Sequence, residues 1–374
     1  MNNIFLYGSL LDAELLEIVL GRAANPVSAR LDGFWARWVD QRDFPMIEAQ
    51  EGRFVDGLLL EGLDEDELAL LDFYEAPFAY DLREVSVQTS KGVKTAQTYM
   101  PNLAKGYKLG AQWNVEEWTA RFGALRKFAA IEIMSRFGTL SAQEITGRMP
   151  VILARAQQRL DAQNHSSAQN LRVNMNVQGI EVKQQITEHD KWFLTEELFL
   201  THPRFDGGQS PEMARSVFVM SDAVSVLPYD PKRDTVMLIE QFRAGCFRRG
   251  DPHPWSLEVI AGRIDGGETV EGAAKREALE ETGLSVENLH RVSSYYSSPG
   301  ATTEYLTSFV AIADLPKSAA GLGGLDTENE DIRAMVVPFQ ALMDAVADGE
   351  AENAPLLISA LWLAANRDRL RASC

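Results

Sequence analysis

Carboxylates are concentrated in the stretch GRIDGGETVEGAAKREALEETGL, residues 262–284. Glu277, Glu280 and Glu281 fall within five residues of one predicted helix, and Glu268 lies upstream. Glu277 and Glu281 are one helical turn apart, and like charges at that spacing weaken a helix unless something compensates them. A divalent cation would do so, because Mg²⁺ binds one or two carboxylates together with substrate phosphates. The simpler alternative is a solvated acidic face, which three clustered glutamates alone would favour.

The spacing of the charged residues and glycines decides between these alternatives. The stretch follows the pattern G-x5-E-x7-R-E-U-x-E-E-x-G-U, where U is aliphatic, and its seven fixed identities would arise by chance at a frequency of order 10⁻⁸ per starting position. The matching residues are Gly262, Glu268, Arg276, Glu277, Glu280, Glu281 and Gly283. This pattern is the signature of the Nudix hydrolases, a family that the sequence resembles. Its first U position holds the small Ala278, which leaves the carboxylates unchanged.

The resemblance implies a divalent metal site, with Mg²⁺ as the cofactor and Mn²⁺ as a substitute. Its implied ligands are three side chains and one backbone carbonyl: Glu277, Glu280, Glu281 and Ala261. Glu281 is also assigned to catalysis, since metal ions polarise a phosphoryl oxygen, orient the substrate and activate water. The other motif residues are interpreted as structural. Gly262 lets the backbone approach closely after the predicted strand SLEVIA, Arg276 binds Glu268, and Gly283 belongs to the same structural set.

The segments that flank the motif narrow the range of possible substrates. The segments LPYDPKRDTVMLIEQFRAG, PWSLEVIAGRIDGGE, SSPGATTEYLT and GLDTENEDIRAMVV resemble the ADP-ribose pyrophosphatase subfamily of the tellurite-resistance type, over about residues 177–370. The resemblance implies that Arg243 and Arg215 contact phosphate, for which the arginine fork is suited. Without it, each would be interpreted as an exposed strand arginine.

The same resemblance assigns the general base to Glu328, in the acidic, glycine-rich loop 321–330. A mobile loop can bring a carboxylate to the attacking water only when the substrate is bound. Glu330 is the alternative base or an extra metal ligand, and Glu304 is a weaker candidate for supporting the site. Taken alone, this loop would be interpreted as an ordinary solvated one.

The implied reaction is the attack of water, activated by the metal or by Glu328, on the pyrophosphate of ADP-ribose, which gives AMP and ribose 5-phosphate. The motif itself specifies only a nucleoside diphosphate linked to some group X, so a dinucleotide or a nucleotide sugar stays open. A ligand sensor that binds but hydrolyses slowly is a different class of function, against which the complete set of motif glutamates argues. Proteins of the subfamily are commonly homodimers that exchange N-terminal strands, and residues 192–221 would be the counterpart here.

A second candidate site lies near the N-terminus. In FLYGSL, a predicted strand runs into a turn and a helix, whose backbone N–H groups could bind an anion. Together with LLDFYEAPFAYDLREVSVQT and AQTYMP, it resembles the gamma-glutamylcyclotransferase-like family, over about residues 1–105. The resemblance implies that the loop of Tyr7, Gly8, Ser9 and Leu10 holds the ligand. It also implies that Glu75 moves protons during cyclisation of a gamma-glutamyl group. The family usually has glycine after this glutamate, where this chain has Ala76, so binding of another amine or a purely structural role stays open.

Composition limits the classes of partner. The chain of 374 residues has 54 acidic and 36 basic residues and a formal charge of −18, which argues against nucleic-acid or membrane-surface partners. A small anionic substrate then needs local arginines or a metal ion. The first residues lack the basic and apolar regions of a signal peptide, and no apolar run is long enough to span a membrane. Cys246 and Cys374 offer no disulfide framework, so we expect a cytoplasmic protein.

These motifs predict a mixed α+β and α/β protein. We expect a small gamma-glutamylcyclotransferase-like β-barrel/α domain at residues 1–105, a helical connector and linker at 106–170, and a Nudix α/β/α sandwich at 177–374. The polar segment AQQRLDAQNHSSAQN is predicted to be a linker or a frayed helix end. Strands are predicted in KWFLTEELFLTH, ARSVFVM, AVSVLPY and TVMLIEQFR, before the acidic helix.

Overall fold

The computed structural model describes residues 2–78, 80–101, 107–165, 170–173, 175–191, 193–325 and 329–373. The predicted base Glu328 and the second cysteine, Cys374, lie outside these residues. Internal contacts divide the chain into two compact units, Met1–Ser166 and Ser167–Cys374.

The first unit is built on a six-stranded sheet that closes on itself. Strand β3 pairs with both β1 and β2 in the order β3-β1-β5-β4-β2, which forms a barrel, and β6 extends it beside β2. Among the described residues of this sheet, only the β1–β5 pairing is parallel. The strands are β1 (Asn2–Leu6), β2 (Val27–Val39), β3 (Pro45–Leu63), β4 (Tyr80–Thr89), β5 (Gly92–Pro101) and β6 (Leu109–Gln112).

The α-helices described around the barrel are α1 (Ala13–Leu20), α2 (Glu65–Glu75), α3 (Val115–Trp118), α4 (Ala124–Met134) and α5 (Ala142–Asn164). A capping box between Asp64 and Glu67 starts α2. Trp118, Ile133 and Ile145 share one buried core with the barrel strands, so α3, α4 and α5 belong to the first unit.

Residues 156–164 of the segment predicted to be a linker or a frayed helix end form the last turns of α5. Its residues Ala156 and Gln158 are buried, as is the preceding Arg155. Arg155 donates through Nε to Glu132 of α4 at 3.1 Å, and both side chains are almost fully buried. Buried Ile145 and Ile152 pack α5 into the core of the first unit, and the buried pair of Arg155 and Glu132 joins it to α4.

The second unit contains two sheets. A three-stranded antiparallel sheet consists of β7 (Glu181–Asp190), β8 (Leu194–Thr201) and β9 (Met213–Val219). The larger sheet has eight strands: β10 (Ala223–Asp230), β11 (Thr235–Phe242), β12 (Trp255–Glu258), β13 (Ile260–Arg263), β14 (Asn288–Tyr296), β15 (Tyr305–Ile312), β16 (Gly321–Gly323) and β17 (Ile332–Pro338). Its main order is β14-β15-β10-β11-β17-β16, while β12 pairs with β11 and β13 pairs with β10.

Helices lie on both faces of the larger sheet. Along β10, Val224 and Val226 enter the core beneath one helix, whereas Leu227 and Tyr229 enter the core on the opposite face, as the alternation of side chains in a strand requires. The helices of this unit are α6 (Ala244–Arg249), α7 (Val270–Thr282), α8 (Phe339–Asp348) and α9 (Ala354–Ala372). Helix α7 covers the first face, and α8 and α9 cover the second. This is the predicted α/β/α sandwich. Across the described ranges, no helix is long and apolar enough to cross a membrane.

Candidate active sites

Helix α7 carries the acidic motif and lies very close to the sheet. Thr269 caps its N-terminus by accepting a hydrogen bond from the backbone N–H of Gly272 at 3.1 Å, and Gly283 ends it in a left-handed conformation with φ 69°. The buried face of α7 is mostly alanine, including Ala278, which is fully buried. Small side chains there let the helix approach the sheet, which explains the alanine at the first U position.

Glycines of two strands border α7. A Cβ on Gly262 of β13 would lie 2.0 Å from both Cδ and Oε1 of Glu277, so the carboxylate of Glu277 occupies the space where another residue would have its side chain. A Cβ on Gly323 of β16 would lie 1.9 Å from the backbone oxygen of Glu281. These two glycines let the strands approach the acidic face of the helix.

Arg276 supplies the positive charge among the crowded glutamates. It binds Glu268 through Nε and Nη2, at 3.0 and 2.9 Å, as the sequence predicted. Its Nη1 also donates to Glu277 at 2.7 Å and to Glu280 at 2.8 Å, which the sequence analysis did not foresee. Nη2 reaches the backbone oxygen of Arg263 at 2.9 Å as well. The hydrogen bonds to Glu268 and the charges of the other glutamates raise the pKa of Arg276.

Arg276 does not neutralise the whole cluster. Glu281 is 2% exposed and accepts a hydrogen bond from the backbone N–H of Ala261 at 3.2 Å. Burial, and next the charge of Glu277, raise the pKa of Glu281 to about 9. Burial raises the pKa of Glu277 to about 7, although Arg276 opposes the shift. Two adjacent buried carboxylates therefore lack full compensation.

The donor set at this position fits a hard divalent cation. The carboxylates of Glu277, Glu280 and Glu281 and the backbone oxygen of Ala261 are the oxygen ligands that Mg²⁺ and Mn²⁺ prefer. Within the part of the chain that the structure describes, no group of three or more His, Cys, Asp or Glu side chains is arranged to hold a metal ion. Arg276 binds one oxygen of Glu277 and one oxygen of Glu280, so a bound cation would share these two carboxylates with the guanidinium.

Arg243 faces the same cluster from the end of β11. Its Nε and Nη2 donate to the two carboxylate oxygens of Glu258, at 3.0 and 2.6 Å, and Glu258 is 4% exposed. The carboxylate of Glu258, and then the charges of Glu281 and Glu330, raise the pKa of Arg243 against the opposing effect of its burial. Glu258 was not predicted as a site residue, although the sequence held one signal: a lone charge within the predicted apolar strand SLEVIA.

Glu330 is oriented by its contacts with Gly324 and Leu325. It accepts a hydrogen bond through Oε2 from the backbone N–H of Leu325 at 3.2 Å. Gly324 has φ 96°, and a Cβ there would lie 2.8 Å from the Cβ of Glu330. The charge of Glu330 contributes to the raised pKa values of both Glu277 and Glu281, so this carboxylate belongs to the same electrostatic cluster.

Two other predicted contacts lie apart from these residues. Arg215 is exposed on β9 and donates to the backbone oxygen of Ala214 at 2.8 Å. Glu304 is half-buried at the start of β15, where its charge contributes to the raised pKa of Tyr295. None of the contacts among the described residues joins Arg215 or Glu304 to the carboxylate cluster.

The first unit brings its predicted residues together in one pocket. Tyr7, Gly8, Ser9, Leu10 and Glu75 all line it, with the aromatic residues Phe5, Phe44, Phe78, Tyr80 and Tyr99. Glu75 is the last residue of α2 and is 9% exposed. Burial, and next the charge of Asp72, raise its pKa to about 8, so at neutral pH this carboxyl group is mostly protonated.

Tyrosine hydroxyls fix the walls of this pocket. Tyr99 donates to Asp72 at 2.8 Å, Tyr7 donates to the backbone oxygen of Tyr99 at 2.7 Å, and Tyr80 donates to the backbone oxygen of Pro45 at 2.6 Å. Ala76, which departs from the family pattern, has φ −54° and ψ −38°. Any residue adopts that conformation, so the backbone at this position does not require glycine.

Comparison with known proteins identifies both parts of the chain. A family model for the NUDIX domain matches residues 220–359, and a model described as gamma-glutamyl cyclotransferase, AIG2-like, matches residues 4–120. The ADP-ribose pyrophosphatase of Escherichia coli (strain K12) is 37% identical over 202 residues, which cover 54% of this chain and 96% of that protein. The GDP-mannose pyrophosphatase of Enterobacter sp. (strain 638) is 32% identical over 150 residues, which cover 40% of this chain and 76% of that protein.

Among solved structures, one titled as an ADP compounds hydrolase has a TM-score of 0.40 and 22% identity, and the match covers 51% of this chain and 97% of that one. The two family models confirm both resemblances drawn from the sequence motifs. The chain belongs to the Nudix hydrolase family, and it joins a Nudix domain to an N-terminal domain of the gamma-glutamyl cyclotransferase, AIG2-like type.

Proposed function

We propose that the second unit hydrolyses the pyrophosphate of ADP-ribose to AMP and ribose 5-phosphate, with Mg²⁺ as its cofactor or Mn²⁺ in its place. The observation that carries this proposal is the 37% identity to an ADP-ribose pyrophosphatase over 96% of that protein's length. The GDP-mannose pyrophosphatase relative, at 32% identity, supports a nucleotide sugar as the second candidate substrate. Both belong to one class of reaction, the hydrolysis of a nucleoside diphosphate linked to a group X.

In the proposed mechanism, Glu277, Glu280, Glu281 and the Ala261 carbonyl hold the cation. When bound, the cation polarises a phosphoryl oxygen and helps to activate water. Arg243 binds the diphosphate through its guanidinium. Glu328, assigned from the resemblance, takes a proton from the water while the water oxygen attacks one phosphorus. The bond from that phosphorus to the bridging oxygen then breaks, and the other phosphate leaves.

Glu330 is the alternative base. Its described position supports either role, because its charge acts on both Glu277 and Glu281. Arg215 and Glu304 complete the proposed substrate contacts, and the exposure of Arg215 on β9 is compatible with a ligand that reaches the three-stranded sheet. We also propose a cytoplasmic homodimer that pairs through residues 192–221, which contain β8 and β9, with no nucleic-acid or membrane partner.

A second candidate function belongs to the first unit, favoured by the pocket that unites the Tyr7–Leu10 loop with Glu75. There, a gamma-glutamyl amide would cyclise as its α-amine attacks the γ-carbonyl and the amide C–N bond breaks. Glu75 would carry the proton from the attacking nitrogen to the departing amine, for which a carboxyl group with a pKa of about 8 is suited. Binding of another amine without turnover is the alternative.

The test is a turnover assay of the purified full chain on ADP-ribose, GDP-mannose and a dinucleotide, with Mg²⁺ and with EDTA. We expect hydrolysis that needs Mg²⁺ and prefers ADP-ribose. Preference for GDP-mannose or the dinucleotide would overturn the substrate assignment. Binding of ADP-ribose with no Mg²⁺-dependent turnover would instead support the ligand-sensor hypothesis.

A further inference from the structure

Glu258 is a buried charge whose described partner is Arg243. Its side chain is 5% exposed, while that of Arg243 is 41% exposed. A buried carboxylate is retained only where a partner compensates the loss of water. The guanidinium of Arg243 provides that partner with two parallel hydrogen bonds, and it does so at the edge of the carboxylate cluster.

Residues 254–258 hold both the backbone and the side chain of Arg243. Strand β12 pairs with β11 from Ile239↔Glu258 to Phe242↔Trp255. Beyond that register, the backbone N–H of Arg243 donates to the Pro254 oxygen at 2.8 Å. Because β12 supplies Glu258 and the residue just before it supplies this acceptor, the direction of the guanidinium is determined by a sheet register and not by a flexible loop.

The pairing with Glu258 uses the edge of the guanidinium that carries Nε and Nη2, and it does not use the Nη1 group. Nε and Nη2 of Arg243 are bound to Glu258. Nη1 donates to no residue among those that the structure describes, and the charges of Glu281 and Glu330 act on the same group. An arginine oriented in advance loses less conformational freedom when it binds a phosphate.

We propose that Glu258 is a positioning residue, which holds Arg243 so that the Nη1 edge meets the diphosphate of the substrate. This rests on the proposed function, in which Arg243 binds phosphate. Glu258 then acts only through Arg243. Its loss should weaken diphosphate binding, with little effect on the affinity for the metal ion.

The experiment compares four full-length variants: Glu258→Gln, Arg243→Ala, the double variant, and Asp234→Asn. Asp234 is the matched control, because it also forms a two-bonded pair with an arginine, Arg367, at the far end of β11. Binding of ADP to the metal-free protein is measured by calorimetry, and KM and kcat are measured with ADP-ribose. The Mg²⁺ dependence of turnover is recorded for each variant.

We expect Glu258→Gln to weaken ADP binding and to raise KM by about tenfold, with kcat within about threefold of the original, since lost ground-state binding appears in KM. The double variant should equal Arg243→Ala, because residues that act as one unit are not additive. Asp234→Asn should lower stability without changing ADP affinity.

Three results would overturn the role of Glu258. One is unchanged ADP affinity in Glu258→Gln. Another is an effect of Glu258→Gln that is as large in the Arg243→Ala background as in the original protein. The third is an altered Mg²⁺ dependence, which would make Glu258 a metal ligand. The substrate assignment is tested separately. If ADP binding depends on Glu258 but the protein does not hydrolyse ADP-ribose, the proposed function is refuted, while the positioning of Arg243 by Glu258 is supported.

Discussion

Replacing Gly262 by alanine should impair activity while leaving the protein folded. Gly262 has no positive φ angle, so alanine brings no backbone strain there, and only the space for its Cβ matters. That atom would lie 2.0 Å from the carboxyl carbon of Glu277, whereas ordinary contacts begin at 3.4 Å. The carboxyl carbon of Glu277 must therefore retreat by about 1.4 Å. We expect the protein to fold, because the displaced group is the end of a flexible side chain.

The expected loss of activity is large, because a misplacement of about 1 Å at a reacting centre can reduce the rate by 10²-fold. We therefore predict that kcat/KM for the diphosphate substrate falls by about 10²-fold in Gly262→Ala. Gly323→Ala behaves differently, because its Cβ would meet the backbone oxygen of Glu281 at 1.9 Å, and a helix backbone cannot move aside alone. That variant should lose roughly 1–3 kcal/mol of unfolding free energy, the usual range for overpacking.

Gly321→Ala is the control, since it lies in the same strand as Gly323 and a Cβ there meets nothing within 4 Å. Kinetics and urea unfolding of the three variants are compared. The reasoning is refuted if Gly262→Ala keeps kcat/KM within threefold of the original, or if Gly321→Ala is as unstable as Gly323→Ala.

Four further predictions concern the two sites. Glu281→Gln should abolish nearly all hydrolysis with an unchanged circular dichroism spectrum; near-normal turnover at saturating Mg²⁺ would count against its role. Glu328→Gln should lower kcat by about 10²–10⁴-fold with little change in KM, and a large loss in Glu330→Gln instead would exchange the two roles. A chain that starts near Val177 should fold and hydrolyse ADP-ribose, and aggregation or inactivity would show that the preceding helices are needed. In the first unit, native Glu75 keeps a proton that the unfolded chain loses above its ordinary pKa of 4.5. The free energy of unfolding should therefore fall as pH rises from 4.5 to about 8, by up to roughly 5 kcal/mol. Urea unfolding measures it across this pH range. If the Glu75→Gln variant shows the same pH dependence as the original protein, this prediction is wrong.

The sequence could predict those features whose geometry is local. The spacing of Glu277, Glu280 and Glu281 places them on one face of a helix wherever that helix lies, and Gly262 signals a close approach. The pairing of Glu268 with Arg276 was likewise predicted from the motif, and in the structure Nη2 of Arg276 lies 2.9 Å from Oε2 of Glu268. Such features depend on helical periodicity and turn chemistry, which are encoded within a short stretch.

The remaining features depend on pairings between distant segments. Glu258 meets Arg243 only through the register of β12 on β11, and nothing in either stretch specifies that register. Helix α5 continues through residues 156–164 of a polar segment, and Arg155, just before this stretch, is buried against Glu132, 23 residues earlier. Polar residues with a buried partner have the same composition as solvated ones, so composition cannot distinguish a helix end from a linker.

The two candidate sites contain the same group in different electrostatic surroundings. Each has a buried glutamate whose pKa lies near or above neutral pH, about 8 for Glu75 and about 9 for Glu281. Around Glu281 stand other carboxylates and two arginines, Arg243 and Arg276, an arrangement suited to a cation and an anionic diphosphate. Around Glu75, the described lining is aromatic and tyrosine-rich and contains no arginine, lysine or histidine. Such a lining suits the proton transfer proposed for Glu75 better than it suits a cation or an anionic diphosphate. The difference in surroundings therefore argues for two separate chemistries in one chain.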